Sequence, residues 1–127
     1  MRDAHAATRL CHAHVELHLD DRPTVYRGHR GIREAFEREL DCWEWIELEL
    51  DQLIECGDEI LGLGTFHGRG HGSGIEVEHF IGHLWTVDAG LLVRIQVFHD
   101  RSRALAAIRP ASERSTGDAI PDRRERR

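Results

Sequence analysis

The chain has 127 residues, a hydrophobic fraction of 40% and a formal net charge of -6. This length fits one compact domain with its own core, and the acidic total counts against a nucleic-acid-binding protein, which usually presents a basic face. No signal peptide is evident, and no apolar run approaches the roughly 20 residues that span a bilayer. Three widely spaced cysteines, Cys11, Cys42 and Cys56, indicate reduced thiols. We therefore expect a cytoplasmic protein that binds neither nucleic acid nor membrane.

Three short elements open the chain. Residues 3–12 carry alanine and leucine on one side, which predicts a short helix. Apolar and polar residues alternate over 15–19, so this segment predicts a strand, which the Asp-Arg-Pro sequence at 21–23 ends. A short return strand is predicted over 24–27.

A helix and the start of the main sheet come next. Between Ile32 and Trp43 the apolar residues recur at spacings of three and four, and this pattern predicts an amphipathic helix over 31–43. Near Trp45 the hydrophobic period changes from about 3.6 to about 2, so a strand begins there.

Turn sequences divide the rest of the chain. They lie at 56–59, in a glycine-rich loop at 70–74 and at 88–90. The predicted strands cover 60–69, 75–87 and 91–100, and one or two helical turns follow over 101–108. We therefore predict an antiparallel four-stranded meander over 45–100, packed on the helix over 31–43, and an α+β fold class.

The composition changes after residue 108. Residues 109–127 contain Pro, Ser, Asp and Arg with almost no apolar side chains, which predicts a disordered tail after a domain over 1–108. All 17 positive side chains are arginine, which we interpret as GC-rich bacterial coding. No internal repeat or second domain is evident.

Four short motifs occur in the order that a known family shows. They are YRGHRGIR at 26–33, GHGSGIEV at 70–77, HLWTVDAG at 83–90 and FHDRSRAL at 98–105. On these motifs the chain, over 2–108, resembles the SnoaL-like (polyketide-cyclase-like) family of the nuclear transport factor 2-like superfamily. The order of the four motifs makes the resemblance specific.

The resemblance implies a cone-shaped fold, with a bent antiparallel sheet wrapped around helices and a ligand pocket between them. Family members include ketosteroid isomerases, polyketide cyclases, epoxide hydrolases and dehydratases, so the fold by itself names no reaction. The family's long first helix is expected to be missing here. The cyclases' catalytic aspartate would fall near Val97, which cannot transfer a proton, and this counts against a cyclase. A homodimer, formed through the outer sheet face, is common in the family.

One sheet face gathers the candidate site residues. The loop at 88–90 predicts these pairs in the last hairpin: Val87 with Leu91, Trp85 with Val93, His83 with Ile95 and His79 with His99. The odd-numbered face is strongly apolar, so it faces the interior and carries His83 with it. A histidine in an apolar pocket is a candidate general acid or base. Comparison with the ketosteroid isomerases places it at their oxyanion-stabilising acid, and the alternative is a structural histidine that caps the core through a hydrogen bond.

The expected ligand is a hydrophobic small molecule that bears a carbonyl group or is polycyclic, and the candidate catalytic residue is His83. Candidate ligand-binding residues share the pocket or its rim: Tyr26, Phe36, Trp43, His79, Trp85, Ile95, Val97 and His99. No cofactor is expected. Acid–base chemistry of the isomerase, cyclase or hydratase type is one reading. A non-catalytic binding or dimerisation module and a truncated inactive family member are the alternatives, so whether the chain is an enzyme stays open.

Ten histidines raise the question of a metal site. A strand register without bulges would place His67 beside His79 and His99, and three imidazoles on one face could bind zinc. The even positions over 60–66 are the apolar set, however, which turns His67 outward if one bulge separates the strands. We therefore expect no metal.

Two further segments resemble functional sites. Asp20 and Asp21 lie near the position of the isomerases' general base, but the adjacent Arg22 and Pro23 favour a solvated turn. The glycine-rich loop at 70–74 joins two strands with no helix after it, so it is not a phosphate-binding loop.

Overall fold

A six-stranded sheet and two helices make up the part of the chain that the computed structural model describes, residues 8–20 and 22–108. In chain order they are β1 (Cys11–Leu19), β2 (Val25–Arg27), α1 (Gly28–Cys42), β3 (Trp43–Cys56), β4 (Glu59–Gly70), β5 (Glu76–Asp88), β6 (Leu91–Phe98) and α2 (Arg101–Ala107). The strand order is β2-β1-β6-β5-β4-β3. Among these neighbours only β1 and β6 pair in parallel. Neither helix has the length and apolar composition that a membrane crossing requires.

The predicted α+β class and the antiparallel meander of β3 to β6 are confirmed. The helix predicted over 31–43 begins earlier, at Gly28, where a φ of 71° lets the backbone turn from β2 directly into α1. The helix predicted over 3–12 is wrong at its end, because Cys11 pairs with Leu92 of β6 and already belongs to β1. The rest of that helix up to residue 7, and the predicted tail over 109–127, lie outside the described residues.

Both faces of the sheet are packed. We call the face that carries His83 and Trp85 the inner face, and the face that carries Leu61 and Leu63 the outer face. The helix α1 packs on the inner face through Ile32, which is buried in one cluster with Val15 and Cys11. Farther along the same face, three buried side chains form a second cluster: Phe66, Ile81 and Val97.

The outer face holds the three largest fully buried side chains of the chain's described part, Leu61, Leu63 and Leu84. Leu61 and Leu63 are fully buried there, and they form one cluster with Leu84, Phe98 and Ala104 of α2. The short helix α2 therefore covers the middle of this face. Asp100 is the N-cap residue of α2, since its carboxylate accepts a hydrogen bond from the backbone N–H of Arg103 at 3.1 Å.

The register of the β5–β6 hairpin differs from the predicted one. The loop predicted at 88–90 is one residue shorter, since Asp88 pairs with Leu91, and a bulge beside Val87 shifts the pairing by one more residue. Trp85 therefore lies opposite Ile95, and His83 lies opposite Val97. The prediction placed each of these partners earlier in β6 and was wrong. A bulge adds a residue on one strand only, and an alternating pattern does not reveal where it occurs.

Candidate functional site

The centre of the inner face is His83, in the middle of β5. It lies opposite Gly62 of β4 and Val97 of β6. Its ring stacks against Trp85, with ring centroids 5.6 Å apart and planes within 5° of parallel. The imidazole is partly buried and makes no hydrogen bond to any residue in the described part of the chain. A core-capping hydrogen bond of the kind that a structural histidine would make is therefore not present among those residues.

Burial determines the charge of His83. Loss of hydration lowers its pKa from 6.5 to about 4, and repulsion from a positive charge on His99 adds to the decrease. A histidine with this pKa is neutral at pH 7, so one ring nitrogen donates a hydrogen bond and the other accepts one. His83 is thus a weak base but a competent hydrogen-bonding group.

Two further histidines continue from His83 toward the exposed end of the sheet. His79 stacks on Phe66, with centroids 4.7 Å apart and planes 9° from parallel. His99 contacts the edge of the His79 ring at 5.5 Å. Both histidines are exposed, and one ring nitrogen of His79 donates to the carbonyl of Phe80 at 2.9 Å. They lie at the rim of the inner face.

Glycines in β4 make room for the ring of Trp85. A Cβ built on Gly62 would lie 2.9 Å from two atoms of the indole and 3.4 Å from the side chain of Leu50. The indole therefore rests directly on the β4 backbone, and the stacked imidazole of His83 extends this flat surface along β5. The role of Gly62 was not predicted, although a glycine inside a strand indicates close approach by another group.

The other predicted ligand-binding residues divide between the inner face and elsewhere. Ile95 packs against the cluster that contains Ile32 of α1, and Val97 is buried in the second cluster with Phe66 and Ile81. Trp43 contacts Phe66 edge-to-face, with centroids 5.1 Å apart, and its indole N–H donates to Glu39 at 3.0 Å. Phe36 is a partly buried residue of α1.

Tyr26 contributes to a different region. It lines a groove of about 500 Å³ between β2 and α1, together with Arg22 and Arg38. A second groove, of about 340 Å³, runs past His14 and Arg27. Neither groove includes His83 or Trp85 in its lining, so Tyr26 is not part of the surface that those two residues form.

The three histidines of the possible zinc site do not come together. His67 pairs with Glu78 of β5, which puts it on the outer face, whereas His79 and His99 lie at the rim of the inner face. Its ring instead contacts Trp45 edge-to-face at 5.1 Å. Within residues 8–20 and 22–108, no group of three or more histidine, cysteine or carboxylate side chains is arranged to hold a metal ion.

Asp20 is not the solvated turn residue that the sequence favoured. Its side chain is 9% exposed and forms an ion pair with Arg103 of α2 at 2.6 Å. Its backbone N–H donates to the carbonyl of Val97 at 2.9 Å. These contacts tie the end of β1 to β6 and α2, so they give Asp20 a structural role. Asp21 lies outside the described residues.

Solved structures share this fold. A nuclear transport factor 2-like protein from Burkholderia thailandensis is 28% identical, with a TM-score of 0.70 over 85% of this chain and 86% of its own. TerC, crystallised with polyporic acid, is 22% identical, with a TM-score of 0.69 over 84% and 85%. A protein from Catenulispora acidiphila with a ketosteroid isomerase-like fold, crystallised with trimethylamine, is 15% identical, with a TM-score of 0.73 over 84% and 82%.

A family model agrees with the structural likeness. No curated protein matches the sequence. The model of the SnoaL-like domain, however, matches residues 1–95, a range that contains Gly62, His83 and Trp85. This match covers most of the chain and agrees with the order of the sequence motifs. The chain therefore belongs to the SnoaL-like domain family.

Proposed function

We propose that this chain binds a hydrophobic small molecule on the inner face, with the apolar part of the ligand on Trp85 and its polar end at His83. The ligand class is a carbonyl-bearing or polycyclic compound. One observation carries the proposal: the partly buried ring of His83 stacks on Trp85 and makes no hydrogen bond to the described residues, so its ring nitrogens are open to a ligand. A ligand that covers this ring needs a complementary polar atom, because a ring nitrogen left buried without a partner would cost about 1–3 kcal/mol.

The neutral imidazole defines the chemistry that we propose. Its N–H would donate a hydrogen bond to a ligand carbonyl and polarise it toward the enol, as neutral histidines do in other enzymes. This step is common to isomerase, cyclase and hydratase reactions. Because the pKa of His83 is about 4, the residue would accept a proton poorly at pH 7. We therefore assign His83 the stabilisation of an oxyanion and not the removal of a proton.

The comparisons support a ligand-binding role in a general way. The fold accommodates organic molecules, since TerC was crystallised with polyporic acid and the Catenulispora acidiphila protein with trimethylamine. We also propose the homodimer and the cytoplasmic location that the sequence favours. The free thiols of the cysteines support the second of these proposals.

A thermal-shift experiment tests the binding proposal. The full chain and His83→Phe would be melted with a panel of planar carbonyl compounds that includes polyporic acid. We expect at least one compound to raise the melting temperature of the wild type and to lose most of that effect on His83→Phe. His71→Phe, in the exposed loop between β4 and β5, is the matched control and should respond like the wild type.

Turnover distinguishes binding from catalysis. A compound that stabilises the wild type would be incubated with it, and proton exchange next to the ligand carbonyl would be followed by NMR in deuterium oxide. Exchange that depends on His83 supports its role in stabilising an oxyanion. Binding without exchange leaves the chain a binding protein. If His83→Phe responds to every compound as the wild type does, the assignment of this site is wrong.

A further inference from the structure

The strand β3 forms one edge of the sheet. Among the described strands it pairs only with β4, so its other side presents a row of unpaired backbone N–H and C=O groups. It is 14 residues long, and residues 47–53 are all exposed. Proteins usually protect such edges with short strands, lysines or prolines. The sequence of β3 contains no lysine, arginine or proline.

One part of this edge is regular. From Trp45, opposite Arg69, to Leu50, opposite Gly64, the register with β4 is uninterrupted, and an irregularity lies at each end of this run. We call residues 45–50 the edge segment. A bulge bends its strand and increases the local twist, so a further strand would pair most easily between the two irregularities. The edge segment is long enough for a short peptide strand.

The two sides of the edge segment differ in chemistry. On the inner face it carries Ile46, Leu48 and Leu50, of which Leu48 is 52% exposed and Leu50 is 45% exposed. A strand added beside β3 would cover part of both leucines. Leucines at this spacing favour apolar side chains at the facing positions of a partner strand.

The other side of the edge segment is acidic and only weakly neutralised. The carboxylate of Glu47 is 75% exposed, and the one ring nitrogen near it lies 4.0 Å away on β4. Glu49 has no ion pair with the described residues. The cation of the neighbouring strand, Arg69, is already held by Glu44 at 3.1 Å and by Glu76 at 3.4 Å. This side therefore favours a partner with positive side chains.

The same charges disfavour a second copy of this chain at the edge. If two edge segments paired antiparallel in register, Glu47 or Glu49 of one copy would face Glu47 or Glu49 of the other. Like charges directly opposite each other destabilise a strand pair. Opposite charges at the same positions would stabilise it.

We propose that the edge segment binds an extended peptide by strand addition, and that this peptide alternates basic and apolar side chains. The backbone of the peptide would pair with the free side of β3. Its basic side chains would lie beside Glu47 and Glu49, and its apolar side chains would lie beside Leu48 and Leu50. This interaction does not involve His83 or Trp85, so it is independent of the proposed ligand site.

The probe is a blocked heptapeptide, acetyl-Arg-Val-Arg-Val-Arg-Val-Arg-amide, titrated into the isotope-labelled full chain and followed by amide chemical shifts. We expect saturable shifts centred on residues 45–50. Two further peptides are N-methylated at either the valines or the arginines. Both keep all their charges, but each loses the hydrogen-bond donors of one strand edge. At least one of them should bind about tenfold more weakly.

Charge variants test the acidic side. The double variant Glu47→Gln and Glu49→Gln should weaken binding about tenfold. The control makes the same charge change at two exposed positions of α1, Glu34→Gln and Glu37→Gln, and should stay within about twofold of the wild type.

Four results would overturn the proposal. The first is no binding at 1 mM probe, and the second is that both N-methylated peptides bind as tightly as the unmodified heptapeptide. The third is that an acidic peptide, with glutamate in place of arginine, binds as tightly as the heptapeptide. The fourth is that the α1 control loses as much affinity as the Glu47→Gln and Glu49→Gln variant. The oligomeric state of the unliganded chain, measured by analytical sedimentation, tests the alternative occupant. A dimer that is strengthened by the double change Glu47→Gln and Glu49→Gln, and not by the α1 control, would show that a second copy occupies the edge.

Discussion

The indole ring of Trp85 rests on the backbone of Gly62, so close that any side chain at residue 62 would meet it. A Cβ there would lie 2.9 Å from two ring atoms. The glycine thus sets the position of the aromatic surface, and Trp85 in turn stacks with His83. The geometry of the proposed site therefore depends on a residue that has no side chain.

The change Gly62→Ala tests this relationship. We expect it to reduce the free energy of unfolding by about 1–3 kcal/mol, because the added methyl group overpacks the contact with the indole. Urea unfolding measures the loss, and tryptophan fluorescence of the folded state should change as the ring moves. Gly64→Ala is the comparison, since its Cβ would lie 1.9 Å from the backbone oxygen of Glu49. The backbone cannot move aside as a side chain can, so this variant should lose more stability. Equal stability of Gly62→Ala and the wild type would contradict the contact.

A second prediction concerns the stability of the His83→Phe variant in the absence of ligand. We expect its melting temperature at pH 7 to equal or exceed that of the wild type, because no hydrogen bond to the described residues is lost and the cost of burying a polar ring is removed. The matched control is His29→Phe. The Nε2–H of His29 donates to the carbonyl of Cys11 at 2.8 Å, so this change should cost about 1 kcal/mol. A clear loss of stability in His83→Phe would assign a structural role to His83.

The pH dependence of stability follows from the lowered pKa of His83. Between about 6.5 and about 4 the unfolded chain binds a proton at this residue and the folded chain does not. Stability therefore falls as the pH decreases through this window, by at most roughly 3 kcal/mol from this residue. Urea unfolding of the wild type and His83→Phe at several pH values isolates the contribution, because the variant lacks the group. Parallel pH profiles for the two proteins would refute it.

The ion pair between Asp20 and Arg103 yields a fourth prediction. We expect Asp20→Asn to reduce the free energy of unfolding by about 1–3 kcal/mol, since a mostly buried carboxylate loses its charge and its partner. Asp88→Asn, at the exposed end of β5, should stay within about 0.5 kcal/mol. Asp20→Asn should also keep the thermal response to any compound that stabilises the wild type. Loss of that response without loss of stability would make Asp20 a ligand-binding group.

The hydrophobic periodicity of the sequence was sufficient to predict the order of the helices and strands and most of their positions. A strand with one apolar face and a helix with one apolar stripe have different periods, and that difference located the change from α1 to β3 near Trp45. The same reasoning failed for β1. Its first pairing, between Cys11 and Leu92, joins segments that are distant in sequence, so the local pattern does not show it. It also failed for the register of β5 and β6, where the shorter loop and the bulge beside Val87 together move each partner of Trp85 and His83 by two residues.

By itself, the sequence determined the family, the α+β class and the presence of His83 on an apolar strand face, because these depend on short motifs and on local periodicity. Only the tertiary structure decided what each face packs against. Leu61 and Leu63 alternate with Gly62 and Gly64, and their complete burial results from packing against a cluster that includes Ala104 of α2, a helix distant in the sequence. The separation of His67 from His79 likewise depends on the register of β4 with β5. Contacts between distant segments depend on how whole elements pack together, and no local pattern contains that information.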